Sequence, residues 1–304
     1  MNGLNVKVRE LVKVHHTGKI EVQALRGLDL DISAGELVSI IGPSGSGKTT
    51  LLNIIGGLDK ATAGTVQVGD QTVTSFSVRQ LVDYRRKAVG HIFQNLNLIP
   101  TLTAQENVEF SMVASGVGRG RRKQRVQELL ERVGLTDRAD HKPEELSGGE
   151  QQRIAIAAAL ANDAPVLLAD EPTGELDTAN ARIIVEYLVK VNEELGKTII
   201  MVTHDPTVAR ASNRILRIED GVIKTALTPS EVIGGKDTGR AHAVSYTDQI
   251  KARIIEINTQ LEQLDKDFKC DKCNGDDYMQ QRLTLKNIRD SLKEELSRMG
   301  VIPP

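Results

Sequence analysis

Eight consecutive residues constrain this chain more than any others. Gly42-Pro43-Ser44-Gly45-Ser46-Gly47-Lys48-Thr49 follow the apolar run Leu37-Val38-Ser39-Ile40-Ile41. They precede a helical pattern through Thr50, Leu51, Leu52, Ile54 and Ile55 that stops at Gly56-Gly57. The apolar run has the length and near-continuous hydrophobicity of a strand buried in a parallel sheet. Small residues after it let the backbone curl so that its N–H groups point inward at a β-phosphate. The helix that opens there adds the positive end of its dipole. Lys48 then offers a point charge to the β- and γ-phosphates, and the Thr49 hydroxyl a ligand for Mg2+. Strand, phosphate loop and helix in this order imply an α/β fold.

A second apolar run, Val166-Leu167-Leu168-Ala169, delivers Asp170 and Glu171 to its carboxyl end, where ligands of open α/β sheets bind. Asp170 is placed to support Mg2+, and Glu171, one residue further on, to polarise a water. By itself a pair of acids ending a strand is often merely solvated; beside a phosphate loop it becomes half of a hydrolytic site. A third such strand, Ile199-Ile200-Met201-Val202, runs into Thr203-His204-Asp205. Residues 1–35 read as β-rich, with a turn at Thr17-Gly18. From about residue 95 to 160 the apolar residues (Val126, Leu129, Leu130, Val133) fall at helical spacing, which predicts a mainly helical subdomain inserted into the α/β core.

Composition narrows the partners. The chain of 304 residues is 26% charged, with 39 basic against 41 acidic side chains and a net charge of −2. Such balance gives no reason to expect a nucleic acid. The basic run Arg119-Gly120-Arg121-Arg122-Lys123 reads as a solvated helix start. With 3% aromatics and no Trp, the core rests on Leu, Ile, Val and Ala. No run of about 18 apolar residues is present to span a bilayer. Met1 to Glu10 lacks a secretory apolar stretch, and two cysteines fit a reducing cytoplasm.

Leu146-Ser147-Gly148-Gly149-Glu150-Gln151-Gln152-Arg153, set before a predicted helix and shortly before Asp170-Glu171, resembles the signature motif of the ABC-transporter ATPases. Ser147 with the backbone at Gly148 and Gly149 forms an anion site at a helix start. The resemblance covers roughly residues 4–227 and implies the P-loop NTPase fold of that family. It implies that the anion site meets the γ-phosphate of ATP held by the phosphate loop of a second copy, or of a homologous ATPase subunit. Phe93-Gln94 resembles the family's Q-loop, with Gln94 near Mg2+ and the attacking water. Gly174-Glu175-Leu176-Asp177 resembles the D-loop that packs across the dimer, with Asp177 at the nucleotide. His204 corresponds to the switch that contacts the γ-phosphate. Catalysis thus falls to Glu171, His204, Gln94 and Lys48. Nucleotide binding falls to Gly42 through Thr50 together with Ser147, Gly148, Gly149 and Asp177.

Ile54 to Asp59, Phe93 to Pro100, Glu106-Asn107-Val108 and Asp170 to Gly174 resemble the branch of lipoprotein-release, macrolide-export and cell-division ATPases. That branch implies integral membrane permease subunits as partners and a peripheral place on the inner face of the cell membrane. Three positions depart from the family. His15 or His16 stands where an aromatic usually stacks on adenine, Ala158 where Arg is common, and Glu150 where Gln is commoner.

Residues 228–245, with Pro229, Gly234, Gly235 and Gly239, read as a linker. Beyond it, Ile250, Ile254, Ile257, Leu261, Leu264 and Phe268 form one heptad seam. Tyr278, Leu285, Ile288, Leu292, Leu296 and Met299 form another. Residues 246–304 are therefore expected to be an α-helical hairpin with arms of roughly 30 Å and a tip bearing Cys270 and Cys273. The two thiolates supply half of a tetrahedral Zn2+ site, which a second chain could complete. A reversible disulfide and two inert thiols are the other readings. The hooked tip also raises an alternative function, a soluble ABC-type ATPase of DNA repair or another non-transport complex that uses the hairpin for tethering. The balanced charge and the transporter-branch motifs weigh against it.

Overall fold

The structure, a computed structural model, describes residues 3–17, 20–174 and 176–227 and individual helical positions between 254 and 293. The chain divides into two compact units, Met1–Gly235 and Lys236–Pro304.

In the first unit the elements run β1 (Val6–Thr17), β2 (Ile20–Ile32), β3 (Leu37–Ile41), α1 (Lys48–Ile55), β4 (Ala63–Val68), β5 (Gln71–Thr72), α2 (Val78–Lys87), β6 (Val89–Ile92), α3 (Ala104–Ala114), α4 (Arg119–Arg132), α5 (Gly148–Leu160), β7 (Val166–Asp170), α6 (Thr178–Leu195), β8 (Thr198–Val202), α7 (Pro206–Ala209), β9 (Arg214–Glu219) and β10 (Val222–Leu227). They build two sheets. One is antiparallel, in the order β2-β1-β4-β5; the other has the order β10-β9-β3-β8-β7-β6. In the second sheet β9, β3, β8, β7 and β6 are parallel and β10 is an antiparallel edge.

The parallel strands are apolar because helices and the other sheet cover both their faces. Val38, Ile40, Leu168, Ile200 and Val202 face one core cluster, with Leu25, Leu28, Leu51 and Ile55. Leu37, Leu167, Ala169, Ile199 and Met201 face the other, with Val108, Leu129, Ile154 and Leu188. This alternation is the two-residue period of a strand. β6 was not anticipated as a strand. Val-Gly-His-Ile is short and carries a polar residue, and its pairing with β7 (Val89 with Val166, Ile92 with Ala169) fixes it.

Several helix ends are satisfied locally. The Ile55 carbonyl at the end of α1 accepts a bond from the buried Tyr84 hydroxyl at 2.8 Å, and Gly57 O one from Arg85 Nη1 at 2.6 Å. Burial pushes the Tyr84 phenol above its ordinary pKa, so it remains a donor. Ser77 and Thr103 close capping boxes with Gln80 and Glu106 at the starts of α2 and α3. Asp177 caps α6, which ends on Gly196 in the left-handed region.

In the second unit Ile254, Ile257 and Leu261, three and four residues apart on the expected seam, are helical and buried. Asp265 Oδ1 accepts bonds from the Tyr278 hydroxyl (2.7 Å) and Arg282 Nε (2.9 Å). Cys270, Cys273 and the 228–245 segment lie outside the described residues. Among those described, no helix is long and apolar enough to cross a membrane, and no group of three or more His, Cys, Asp and Glu is gathered to hold a metal.

His91 on β6 gives the fold a pH signature. Burial lowers its pKa from 6.5 to about 4. The folded state therefore holds it neutral while the unfolded chain takes up a proton below the ordinary value. Stability is intact above the unfolded pKa and falls as pH drops toward 4, by up to about 3 kcal/mol from this group. Chemical unfolding followed between pH 7 and 4 should show a slope shallower by nearly one proton in His91→Gln than in the native sequence.

Candidate active site

The phosphate loop leaves β3 at Ile41 and enters α1 at Lys48. Gly47, the N-cap, has φ 101°, and a Cβ there would lie 2.5 Å from the Ala24 carbonyl oxygen of β2. Only glycine fits that turn. Because Gly47 has no side chain to cap the helix, the first N–H groups of α1 are left for an outside acceptor. Ser46 Oγ is buried with no partner among the described residues, and a phosphate oxygen suits both. Thr50 is half-buried on the first turn. Lys48 is 8% exposed. Its ammonium donates to the carbonyls of Gly42 and Pro43, both at 2.9 Å, and so lies folded across the loop. Burial draws its pKa down, opposed by the charges of Glu171 and Asp170.

β7 carries the acids to the same edge. Thr49 Oγ1 donates to Asp170 Oδ1 at 3.2 Å. Burial pushes the Asp170 carboxyl above its usual range against the Thr49 bond, and the charge of Glu171 pushes it further. A hydroxyl and a carboxylate side by side are the hard oxygen donors that Mg2+ takes. Glu171 sits in the left-handed region, φ 47°, a costly conformation for a non-glycine residue that clusters at functional sites. Two bonds hold it: its N–H donates to Val202 O at 2.9 Å, and its carbonyl accepts from Gly174 N at 3.1 Å. The turn brings Glu171 Oε2 to 2.6 Å from His204 Nδ1, at the end of β8. A contact that short requires a proton between the two atoms. His204 is the more exposed partner, 67% against 20% for Glu171.

Gln94 lies exposed two residues beyond the end of β6. Before it, Phe93 stacks on His91 with ring centroids 5.4 Å apart. His15 is exposed on β1 opposite Val22 of β2, a residue itself 54% exposed.

Ser147 is the N-cap of α5. Its Oγ accepts from Glu150 N at 3.3 Å, while Glu150 Oε2 accepts both the Ser147 N–H and O–H at 2.8 Å. Ser147 and Gly148 are exposed, and Gly149 is buried. A Cβ at Gly149 would lie 2.5 Å from Asn180 Oδ1. Asn180 is itself pinned, with its N–H on Asp177 Oδ1 and its side-chain amide on Asp177 Oδ2, both at 2.8 Å. The start of α5 and the Asp177 cap of α6 are thereby packed as one piece. Sequence reading did not single out Asn180, or Arg138, whose Nε is 3.4 Å from Glu150 Oε1. The S-x-x-E spacing of Ser147 and Glu150 was the available signal.

The ABC transporter family profile matches residues 25–174. An uncharacterised ABC transporter ATP-binding protein of Bacillus subtilis, YknY, is 44% identical over 229 residues, covering 75% of this chain and 99% of that protein. An ABC transporter ATP-binding protein of Thermotoga maritima is 49% identical over 221 residues, 72% of this chain and 94% of that one. The macrolide export ATP-binding/permease protein MacB of Escherichia coli is 44% identical over 76% of this chain, which spans 36% of MacB. The solved ATP-binding cassette MJ0796, a dimer in a post-hydrolysis state with ADP and Pi, superposes with a TM-score of 0.69 at 44% identity, covering 74% of this chain and 98% of that one. The chain belongs to the ABC transporter family, as one of its ATP-binding, ATP-hydrolysing subunits. These relatives support the transport reading and lend nothing to the non-transport alternative.

Packing at Gly149 is directly testable. Gly149→Ala should destabilise the first unit by about 1–3 kcal/mol through overpacking against Asn180. Adding Asn180→Ala should recover part of the loss in thermal melts.

Proposed function

We propose that two copies of this chain, or this chain and a homologous subunit, close on two ATP molecules and that closure drives permease subunits on other chains. What carries the reading is the meeting of Lys48, Thr49, Asp170, Glu171 and His204 at the carboxyl end of the parallel strands. The Thr49–Asp170 bond and the Glu171–His204 contact join them, while a separate anion-ready cap, Ser147, lies on α5. The dimeric state of MJ0796 supports pairing of such caps with a facing phosphate loop.

In this reading the N–H groups of the loop and Ser46 cradle the β-phosphate, and Lys48 leaves the Gly42 and Pro43 carbonyls for the β- and γ-phosphates. Thr49, Asp170 and Gln94 would hold Mg2+, which would supply neutralisation of phosphate charge. Glu171, fixed in its left-handed turn, takes a proton from the attacking water, and His204 orients Glu171 and faces the γ-phosphate. Ser147, Gly148 and Gly149 of the second copy bind that same phosphate, and Asp177 lines the junction. His15 stacks on adenine with less area than a larger aromatic.

MacB is named both ATP-binding and permease protein, which supports permease subunits as the partners here and a peripheral place on the inner face of the membrane. A groove of about 410 Å³ lined by His91, Phe93, Leu96, Leu98 and Phe110 gives such a subunit an apolar face to meet; Phe110 is 54% exposed. For Cys270 and Cys273 the support is the sequence spacing alone, and zinc remains one of its three readings.

Glu171→Gln should lower Mg2+-dependent ATP turnover by about 10²-fold or more and leave an ATP-bound dimer stable enough to isolate by size-exclusion chromatography. Turnover unchanged in that variant would remove Glu171 from the chemistry.

A further inference from the structure

Glu150 does more at the start of α5 than a cap requires. A glutamine in its place would still accept from the Ser147 N–H, and this chain contains the comparison. At the start of α2, Gln80 Oε1 accepts the Ser77 N–H at 2.9 Å and the Ser77 O–H at 2.7 Å. That is the geometry Glu150 makes with Ser147, without the charge. The carboxylate at 150 therefore adds a negative charge that capping does not need. Its other oxygen, Oε1, lies 3.4 Å from Nε of Arg138, which ends the short turn Thr136–Arg138 after α4. Arg138 is also 3.9 Å from Asp137 and contacts His141 Nε2 at 3.4 Å.

We propose that Glu150 is a positioning residue that restrains Ser147, and that Arg138 is the group that draws it away. The inference rests on the reading that Ser147 meets the γ-phosphate of the facing subunit. A serine hydroxyl has one proton to donate. While Glu150 Oε2 accepts it, none is left for a phosphate oxygen. The same carboxylate lies beside the atom on which the phosphate lands, and two anions a few ångströms apart repel strongly in a partly buried site. Closure on ATP thus requires Glu150 to release Ser147. Arg138 already pairs with one of its oxygens at 3.4 Å and can take both, since a guanidinium donates to the two oxygens of a carboxylate at once. The signature cap consequently has a threshold set by one exchange, Ser147 for Arg138, on a single carboxylate.

The test uses the full chain carrying Glu171→Gln, with sedimentation velocity reporting dimer as ATP is raised. If this parent fails to dimerise, the composite-site reading falls and the inference with it. Given a dimerising parent, adding Glu150→Gln should lower the ATP concentration for half-maximal dimer by about tenfold, because an amide that accepts the hydroxyl as Gln80 does holds it without a charge and does not repel the phosphate, and this advantage should shrink in high salt. Arg138→Gln should raise it several-fold. Glu150→Gln with Arg138→Gln should behave as Glu150→Gln alone, because Arg138 acts through the carboxylate. A merely structural cap predicts no shift with glutamine and an Arg138 effect that persists in the double variant. Either result, or a weaker dimer with Glu150→Gln, overturns the proposal. Glu150→Gln keeps the capping bonds, so its thermal melt should match the parent and loss of fold cannot mimic the outcome.

Discussion

The parallel pairing of β3, β8 and β7 is the constraint on which the site depends. Ile40 pairs with Val202, and Val202 with Asp170, so three chain segments stop being strand at one level. Beyond that level lie the glycine loop, Thr203-His204 and Glu171. None of these is near another in the chain: His204 is 33 residues from Glu171 and Asp170 is 121 from Thr49. Their distances are therefore set by ladder register. A slip of one residue in β7 would turn Asp170 to the opposite face and withdraw it from Thr49. The fully buried apolar residues along these strands make such a slip costly, since each has a core cluster on its own side.

Strain and burial meet at the carboxyl ends of these strands. Glu171 adopts a backbone conformation that glycine would take more easily, and Lys48 and Asp170 are both pushed toward their neutral forms by burial. Each cost is supported from behind, the first by the Val202 carbonyl and the others by mutual attraction across the loop. Such an arrangement is poorly optimised for stability and well arranged for a ligand carrying both negative phosphates and a cation. The α5 start shows the complementary design. It is a cap whose Gly149 packs closely on Asn180, itself bonded to Asp177, and whose serine is exposed.

Much of this was legible in the residues. Leu37–Ile41, Val166–Asp170 and Thr198–Val202 read as buried strands because helices and a second sheet cover them, leaving an apolar run with polar residues only at its end. The glycine loop was legible because its backbone tolerates few alternatives. β6 was not, since a four-residue strand containing Gly90 and His91 has no periodicity to detect. The Glu171–His204 contact could not be read either, because parallel register between β7 and β8 is decided by tertiary packing. The negative charge in the Ser147 box was visible in sequence, but its tie to Arg138 depends on how the Thr136–Arg138 turn after α4 folds back onto the start of α5. Cys270 and Cys273 stay with their sequence readings.

The central claim is that each site takes its glycine loop from one chain and its serine cap from another. Mixing two inactive variants, Lys48→Ala and Ser147→Arg, tests it most directly. In a mixed dimer one site receives the intact loop of the second variant and the intact cap of the first. Random pairing makes about half the dimers mixed, with one intact site in each. ATP hydrolysis in a single turnover should reappear on mixing, at about a quarter of the native amplitude. Mixed samples that stay as inactive as their components, with both variants folded, would contradict the account.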